Sequence, residues 1–355
     1  MKQDILQPYH PVSLDREYLA AESYKRFFEK YAKLVPDFSP HQKASILEDF
    51  KYHVDFLQES LAVHNAALYI DYLRWIQVLL ISRHFPPNYL SSSLAVLIDV
   101  IKKELPVDLR AEADSIIKKG KAVLQQPPAP IPSYITTENP LHAGAQSFLD
   151  ALIAADRKRA WTIIAQAIAS GHTARDIYLE IFQPVLQETG RLWQIGQLSI
   201  AQEHYVTGST LLFISRFHEQ IQAGGKTRRK GKTLVAGCVS DELHDVGIRM
   251  VADFFELDGW DTYFIGGNTP AQSLLEAVRD RKADVLAVSS TMATRIPVIH
   301  YLIRSLRADP KTKRVKIIVG GYPFNLIPDL WKQVGADAYA GNADEAVSTA
   351  NRLSP

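Results

Sequence analysis

Thr233–Gly247 reads TLVAGCVSDELHDVG. A short apolar run, Thr233 to Val239, gives way to a polar loop, and a segment of helical period opens at Gly247. An apolar run this short, rich in branched residues, is the signature of a buried strand. The same alternation continues downstream. TYFIG (Thr262 to Gly266), VLAVSS (Val285 to Ser290) and KIIVGG (Lys316 to Gly321) are further strands, separated by helical segments at Gly247 to Leu257, Ala271 to Arg281 and Val298 to Asp309. A last strand, Ala338 to Ala340, precedes the helical Asp344 to Leu353. Strand and helix alternating in this way predict a doubly wound, five-stranded parallel sheet of Rossmann-like form. Such sheets bind ligands in the crevice at the carboxyl ends of their strands, so the loops after each strand are where chemistry is expected.

Working outward, two seams bound this unit. GGKTRRKGK (Gly224 to Lys232) is a polar stretch of Lys, Arg and Gly that reads as a solvated linker. QQPPAPIPSY (Gln125 to Tyr134) packs four prolines into six residues, which forbids helix and favours an extended connector. Between the seams, Ala143 to Ala169, Thr173 to Glu188 and Ser199 to Gln222 carry helical period, with a break at Ser170-Gly171-His172 and Ser199 placed as an N-cap. This predicts a four-helix bundle. Before the first seam, Leu57, Leu61, Leu68, Tyr72, Trp75 and Leu79 form a helical stripe along Phe50 to Ser82, ended by Pro86-Pro87, and a second helix begins near Leu94. The expected plan is a helical sensor or interaction domain (1–125), a proline-rich linker (126–139), the bundle (140–223), a basic linker (224–232) and the α/β domain (233–355).

Composition narrows the function. The chain has 355 residues, enough for two or three domains. Lys and Arg number 40 against 39 Asp and Glu, so no basic field exists to capture nucleic acid or an anionic membrane, and direct DNA binding is not expected. A single cysteine, Cys238, excludes a disulfide framework, an iron–sulfur cluster and a thiolate zinc site. It lies near the end of the first strand and reads as a buried small hydrophobe. The opening MKQDILQPYH lacks a signal-peptide pattern, and no apolar run approaches the ~18 residues of a membrane span, so a cytoplasmic, non-spanning protein is expected.

The loop after the first strand runs Glu242-Leu243-His244-Asp245-Val246-Gly247. A carboxylate two residues before a histidine can hold the imidazole Nδ1–H, fixing the tautomer that turns Nε2 toward a metal. Gly247 lets a bulky planar ligand approach the backbone. A loop histidine alone is equally a structural one. The neighbouring loops are small or hydroxylic: Gly266-Gly267-Asn268 after the second strand, Ser289-Ser290-Thr291 after the third, Gly320-Gly321-Tyr322 after the fourth and Gly341 after the fifth. Together they fit a long slot holding an extended ligand tail, with a metal on His244.

Glu242-x-His244-x-x-Gly247, Ser289-x-Thr291 and Gly320-Gly321 resemble the cobalamin-binding module of methionine synthase and the corrinoid proteins. The resemblance implies cobalamin bound base-off, His244 as the lower cobalt ligand, and the nucleotide tail buried beside the Ser and Gly-Gly loops. Here Glu242 stands for the usual Asp, so the partner of His244 must be re-aimed by one methylene, and Thr291 stands for the usual Leu. In the bundle, Trp193 is followed after nine residues by Glu203-His204. That pattern resembles the cap of light-sensing regulators of the CarH and AerR type, which implies Trp193 packed on the upper axial group of adenosylcobalamin and Glu203-His204 helping to hold it. The residue after the Trp is Gln194, not the histidine some of those regulators carry, and residues 1–125 show no recognition helix.

His64 to Phe85 (HNAALYIDYLRWIQVLLISRHF) gathers aromatics, two histidines and two arginines. It reads either as a packed interaction domain or, by similarity to the photocobilins, as a non-covalent biliverdin site. Three functions remain open from sequence: an adenosylcobalamin photoreceptor, signalling through a homo-oligomer or a protein partner; a non-enzymatic corrinoid protein carrying methyl groups for a methyltransferase system; and a cobalamin storage protein. The Trp-x9-Glu-His cap favours the first.

Overall fold

A computed structural model describes residues 8–224 and 229–354. Five helices build the N-terminal part: α1 (Arg16–Tyr31), α2 (Pro40–Ala62), α3 (Ala67–Ser82), α4 (Tyr89–Glu104) and α5 (Val107–Leu124). The caps explain the starts. The Asp15 carboxylate accepts from the Tyr18 N–H, and Ser39 and Gln42 form a reciprocal capping box with Pro40 in the first turn. The single helix expected over Phe50 to Ser82 is divided. His64 takes a left-handed φ of 51°, and the Asn65 side chain accepts from the Ala67 N–H at 2.9 Å to restart the chain as α3. The apolar stripe crosses the break because Leu57, Leu61, Tyr72 and Leu73 meet in one buried core.

The bundle follows as α6 (His142–Ile153), α7 (Arg157–Ala169), α8 (Ala174–Ile177), α9 (Gln183–Gln194) and α10 (Ile200–Gly224), with a π turn, Tyr178–Phe182, joining α8 to α9. The helix expected to run unbroken to Ala169 turns at Ala155 (φ 56°), where Asp156 caps α7. Ser199 caps α10 by accepting from the Gln202 N–H at 3.2 Å. Of the basic seam expected at 224–232, residues 225–228 lie outside the described residues.

The C-terminal unit alternates β1 (Thr233–Val239), α11 (Val246–Leu257), β2 (Asp261–Thr269), α12 (Ala271–Arg281), β3 (Val285–Ser289), α13 (Ile296–Ala308), β4 (Lys316–Gly320), α14 (Tyr322–Leu326), α15 (Leu330–Val334), β5 (Ala338–Tyr339) and α16 (Ala343–Leu353). All strands pair in parallel, in the order β2-β1-β3-β4-β5. The order reverses between β1 and β3, and the crevice therefore opens where their loops diverge.

Side chains alternate across the sheet and tie it to both helical parts. Leu234, Ala236 and Cys238 of β1 face a core that also holds Phe182, Val185 and Phe213 of the bundle. The bundle is pinned there by the Tyr178 hydroxyl, which donates to Asp253 at 2.7 Å. Val235 and Val239 face the opposite core, which takes in Tyr9, Ala62, Val63 and Leu68 of the N-terminal part. The cores cross the seams that the prolines and basic residues mark in sequence. Local composition carries no signal for such sharing.

Candidate functional site

The β1 loop leaves the sheet through Asp241, whose left-handed φ of 60° is held by the Asn268 side chain accepting from its N–H at 2.8 Å. That turn buries Glu242 completely. Its Oε1 takes the His244 N–H at 3.0 Å and the His244 Nδ1 at 2.6 Å. Its Oε2 crosses the switch point to the β3 loop, accepting from the Ser290 hydroxyl (2.9 Å), the Thr291 N–H (2.8 Å) and the Met292 N–H (3.0 Å). Burial opposes ionisation of this carboxyl, but the His244 and backbone donors outweigh it and bring it down to about 2. The hydrogen bond that His244 donates to Glu242 in turn raises the imidazole above its ordinary value.

With Nδ1 engaged, Nε2 is the outward nitrogen of His244, on a side chain 59% exposed. Leu243 beside it is 73% exposed. A Cβ on Gly247 would meet nothing within 4 Å, so the backbone at the start of α11 stands open to an approaching ligand. Asp245 points the other way, its carboxylate accepting from the Gly267 N–H at 3.1 Å, and Val246 begins α11.

The hydroxyl and glycine loops differ in role from the sequence reading. Ser289 ends β3 in register with Gly320, and Thr291 meets Glu242 through its backbone while its side chain is exposed. Ser290, which the motif spacing passes over, is the fully buried hydroxyl that Glu242 holds. The extra methylene of Glu was the available signal, since it lengthens the reach of the carboxylate toward the neighbouring loop. Gly320-Gly321 was expected to open a slot. Instead, a Cβ on Gly321 would fall 2.1 Å from the Ser290 carbonyl oxygen, and one on Gly320 2.9 Å from that of Ala340. These glycines let neighbouring loops close on each other, and Gly321, at φ 93°, also needs the left-handed region. The Gly341 N–H donates to Glu345 at 2.8 Å, and Tyr322 lies half exposed with its hydroxyl on Asp71.

From the bundle, Glu203 lies close enough to His244 to raise its pKa through its charge. His204 pairs through Nδ1 with the Glu203 carboxylate, its own ring largely exposed. Trp193 is half-buried at the end of α9, its ring centroid 6.2 Å from that of Trp75 in α3. Of the two histidines and two arginines expected near a bilin, His64 pairs with Glu112 at 3.0 Å, and the Arg83 guanidinium sits 5.5 Å from the Trp193 ring. Among the described residues no three His, Cys, Asp or Glu side chains gather as a metal-ion site, and no helix is long and apolar enough to cross a membrane. Cys238 is buried, and burial pushes its thiol up.

Comparison with known proteins agrees with that arrangement. The B12 binding domain family matches residues 232–350, and a second B12 binding domain family matches residues 145–209. Dimethylamine corrinoid protein 3 of Methanosarcina acetivorans is 31% identical over 170 residues, covering 48% of this chain and 75% of the relative. Trimethylamine corrinoid protein 1 of Methanosarcina mazei is 23% identical over 199 residues, covering 56% and 91%. The structure of the Methanosarcina barkeri monomethylamine corrinoid protein superposes with a TM-score of 0.53 at 19% identity, over 60% of this chain and 99% of that one, and so shares the fold. Of the functions left open by the sequence, these names favour the corrinoid protein over the light sensor. With B12 binding domain matches over both the bundle and the sheet unit, and a corrinoid protein 31% identical over three quarters of its own length, the chain belongs to the corrinoid protein family.

Proposed function

We propose that the chain is a non-enzymatic corrinoid carrier, in which His244 is the lower axial ligand of a bound cobalamin and the upper face serves methyltransferase partners. The carrying observation is the Glu242 fan. A fully buried carboxylate taking five donors fixes the ring plane and tautomer of His244 before any ligand arrives. When bound, the corrinoid supplies a cobalt able to take up and release a methyl group. The protein's part is to orient His244, to admit the nucleotide tail beside the β3 and β4 loops, and to place Glu203 and Trp193 on the bundle side. The names of the relatives support methylated amines as the source of the methyl group.

The test is reconstitution. The purified chain, mixed with hydroxocobalamin or methylcobalamin and freed of excess, retains a stoichiometric corrinoid. His244→Ala changes the absorption bands that report lower ligation and weakens binding by about 10–100-fold. An unchanged spectrum and affinity would remove His244 as ligand. The light-sensing alternative rests on Trp193 and Glu203-His204 alone. Adenosylcobalamin-loaded protein prepared in the dark and exposed to green light decides it, since a light response no faster than that of the free cofactor eliminates the sensor.

A further inference from the structure

Helix α3 lies outside both matched B12-binding segments, yet one of its faces touches both halves of the proposed corrinoid site. Asp71, Trp75 and Ser82 stand four and seven residues apart, which places them along a single side of the helix. At one end, the Tyr322 hydroxyl, directly after Gly320-Gly321 of the sheet unit, donates to Asp71 at 2.9 Å. At the other, the Ser82 hydroxyl donates to the Gln194 carbonyl at 2.8 Å, and Arg83 donates to the Trp193 carbonyl at 3.2 Å. Between them the Gln194 side-chain amide donates to the Trp75 carbonyl at 3.1 Å, and the Trp75 indole leans on Trp193. The helix is anchored, because Leu68 in its first turn is buried in the sheet's own core. From Leu68 to Ser82 it spans about 20 Å, a beam from the sheet to the end of α9.

Trp75 nevertheless remains 40% exposed, and Tyr322 remains 49% exposed. Two large aromatic side chains, Tyr322 hydrogen-bonded through its hydroxyl and Trp75 lying beside Trp193, are left partly uncovered and form a surface prepared for something flat and apolar. We propose that α3 is a third wall of the corrinoid site, with Trp75 a binding residue that meets the bound corrinoid beside Trp193. Asp71, Ser82 and Arg83 are positioning residues, fixing Tyr322 and the Trp193–Gly196 turn. The inference rests on the corrinoid reading of the site. It makes the N-terminal part, unlike a detached sensor, a component of cofactor binding.

The measurement is the rate at which bound hydroxocobalamin leaves the full chain when chased with excess apo-binder. Trp75→Ala speeds release by about tenfold or more, and Trp75→Phe, which keeps an aromatic face, recovers most of that loss. Urea unfolding of the cofactor-free variants identifies any that fail to fold. A second variant, Ser82→Ala, removes the hydroxyl that ties the end of α3 to the Gln194 carbonyl and speeds release by about threefold. Release unaffected by both Trp75→Ala and Ser82→Ala overturns the wall while leaving the corrinoid reading intact. A wild-type chain that retains no cobalamin overturns both.

Discussion

Two glutamates, Glu242 at the site and Glu59 where α2 meets the sheet unit, are both removed from solvent, yet their carboxyls go opposite ways. Glu242 is brought down to about 2 and Glu59 is pushed up to about 7. Burial acts in the same direction on each, so it cannot be what separates them. The donors are. Glu242 collects two N–H groups from the β3 loop, the Ser290 hydroxyl and both the N–H and the ring of His244. Glu59 has the Tyr9 hydroxyl at 3.0 Å and a contribution from Gln58. The site is thus built around a charge, whereas the seam is built around a carboxyl that burial drives toward its neutral form. An ionised Glu242 accepts the Nδ1–H of His244, so that whenever the ring is neutral its lone pair lies on Nε2.

Removing the charge at the site gives the largest effect. Glu242→Ala takes the shared acceptor from the Thr291, Met292 and His244 N–H groups and the His244 ring, and leaves the Ser290 hydroxyl to the Met292 carbonyl. Breaking a buried charged network of this kind costs about 3–5 kcal/mol. Urea unfolding of the cofactor-free protein measures it, and a loss below 1 kcal/mol would mean that the β1 and β3 loops are held by something other than this carboxylate. Glu242→Gln separates charge from shape. It keeps the length but offers one acceptor oxygen, so it is expected to lie between wild type and Ala.

At Glu59 the same kind of change has the opposite sign. A carboxyl whose folded value is raised from 4.5 to about 7 contributes stability that is complete below pH 4.5 and is lost as the pH climbs through 7. Glu59→Gln, neutral at every pH, is therefore expected to stabilise the protein at pH 8 by about 3 kcal/mol and to flatten its stability between pH 5 and 8. Unfolding midpoints across that range are the check. A variant less stable than wild type at pH 8 would show that the Tyr9 hydroxyl needs an ionised partner.

The sheet unit was legible because β1, β3 and β4 are short runs rich in branched residues and bounded by turns, a local property. Thr233–Val239 and Ala271–Arg281 were read to the residue. The helical parts were read by period alone, and period does not register a break that leaves the apolar face in step, which is why α2 and α3 merged and α6 and α7 merged. In the site, Glu242 and His244 are two residues apart and carried their relation in the sequence. Ser290 and the α3 contacts did not. Ser290 is defined by the reach of a carboxylate 48 residues away, and Asp71 by a tyrosine 251 residues away. No local pattern encodes partners at that separation.

Ser290 gives the finest division of the comparison, because it tests whether the hydroxyl or the backbone of the β3 loop carries the charge of Glu242. Its Oγ lies 2.9 Å both from Glu242 Oε2 and from the Met292 carbonyl, but one proton can serve only one acceptor at a time. The Thr291 and Met292 N–H groups are fixed by the loop and donate whether or not the hydroxyl turns toward them. Ser290→Ala therefore costs about 1 kcal/mol, less than Glu242→Ala, and leaves the corrinoid affinity of the chain within about threefold of wild type, because His244 keeps its carboxylate. Parallel unfolding and cobalamin titrations of the two variants separate the contributions. If Ser290→Ala matched Glu242→Ala in both, the hydroxyl would be the anchor of the ionised carboxylate, and the anion pocket would have to be assigned to a side chain instead of to the fold of the loop.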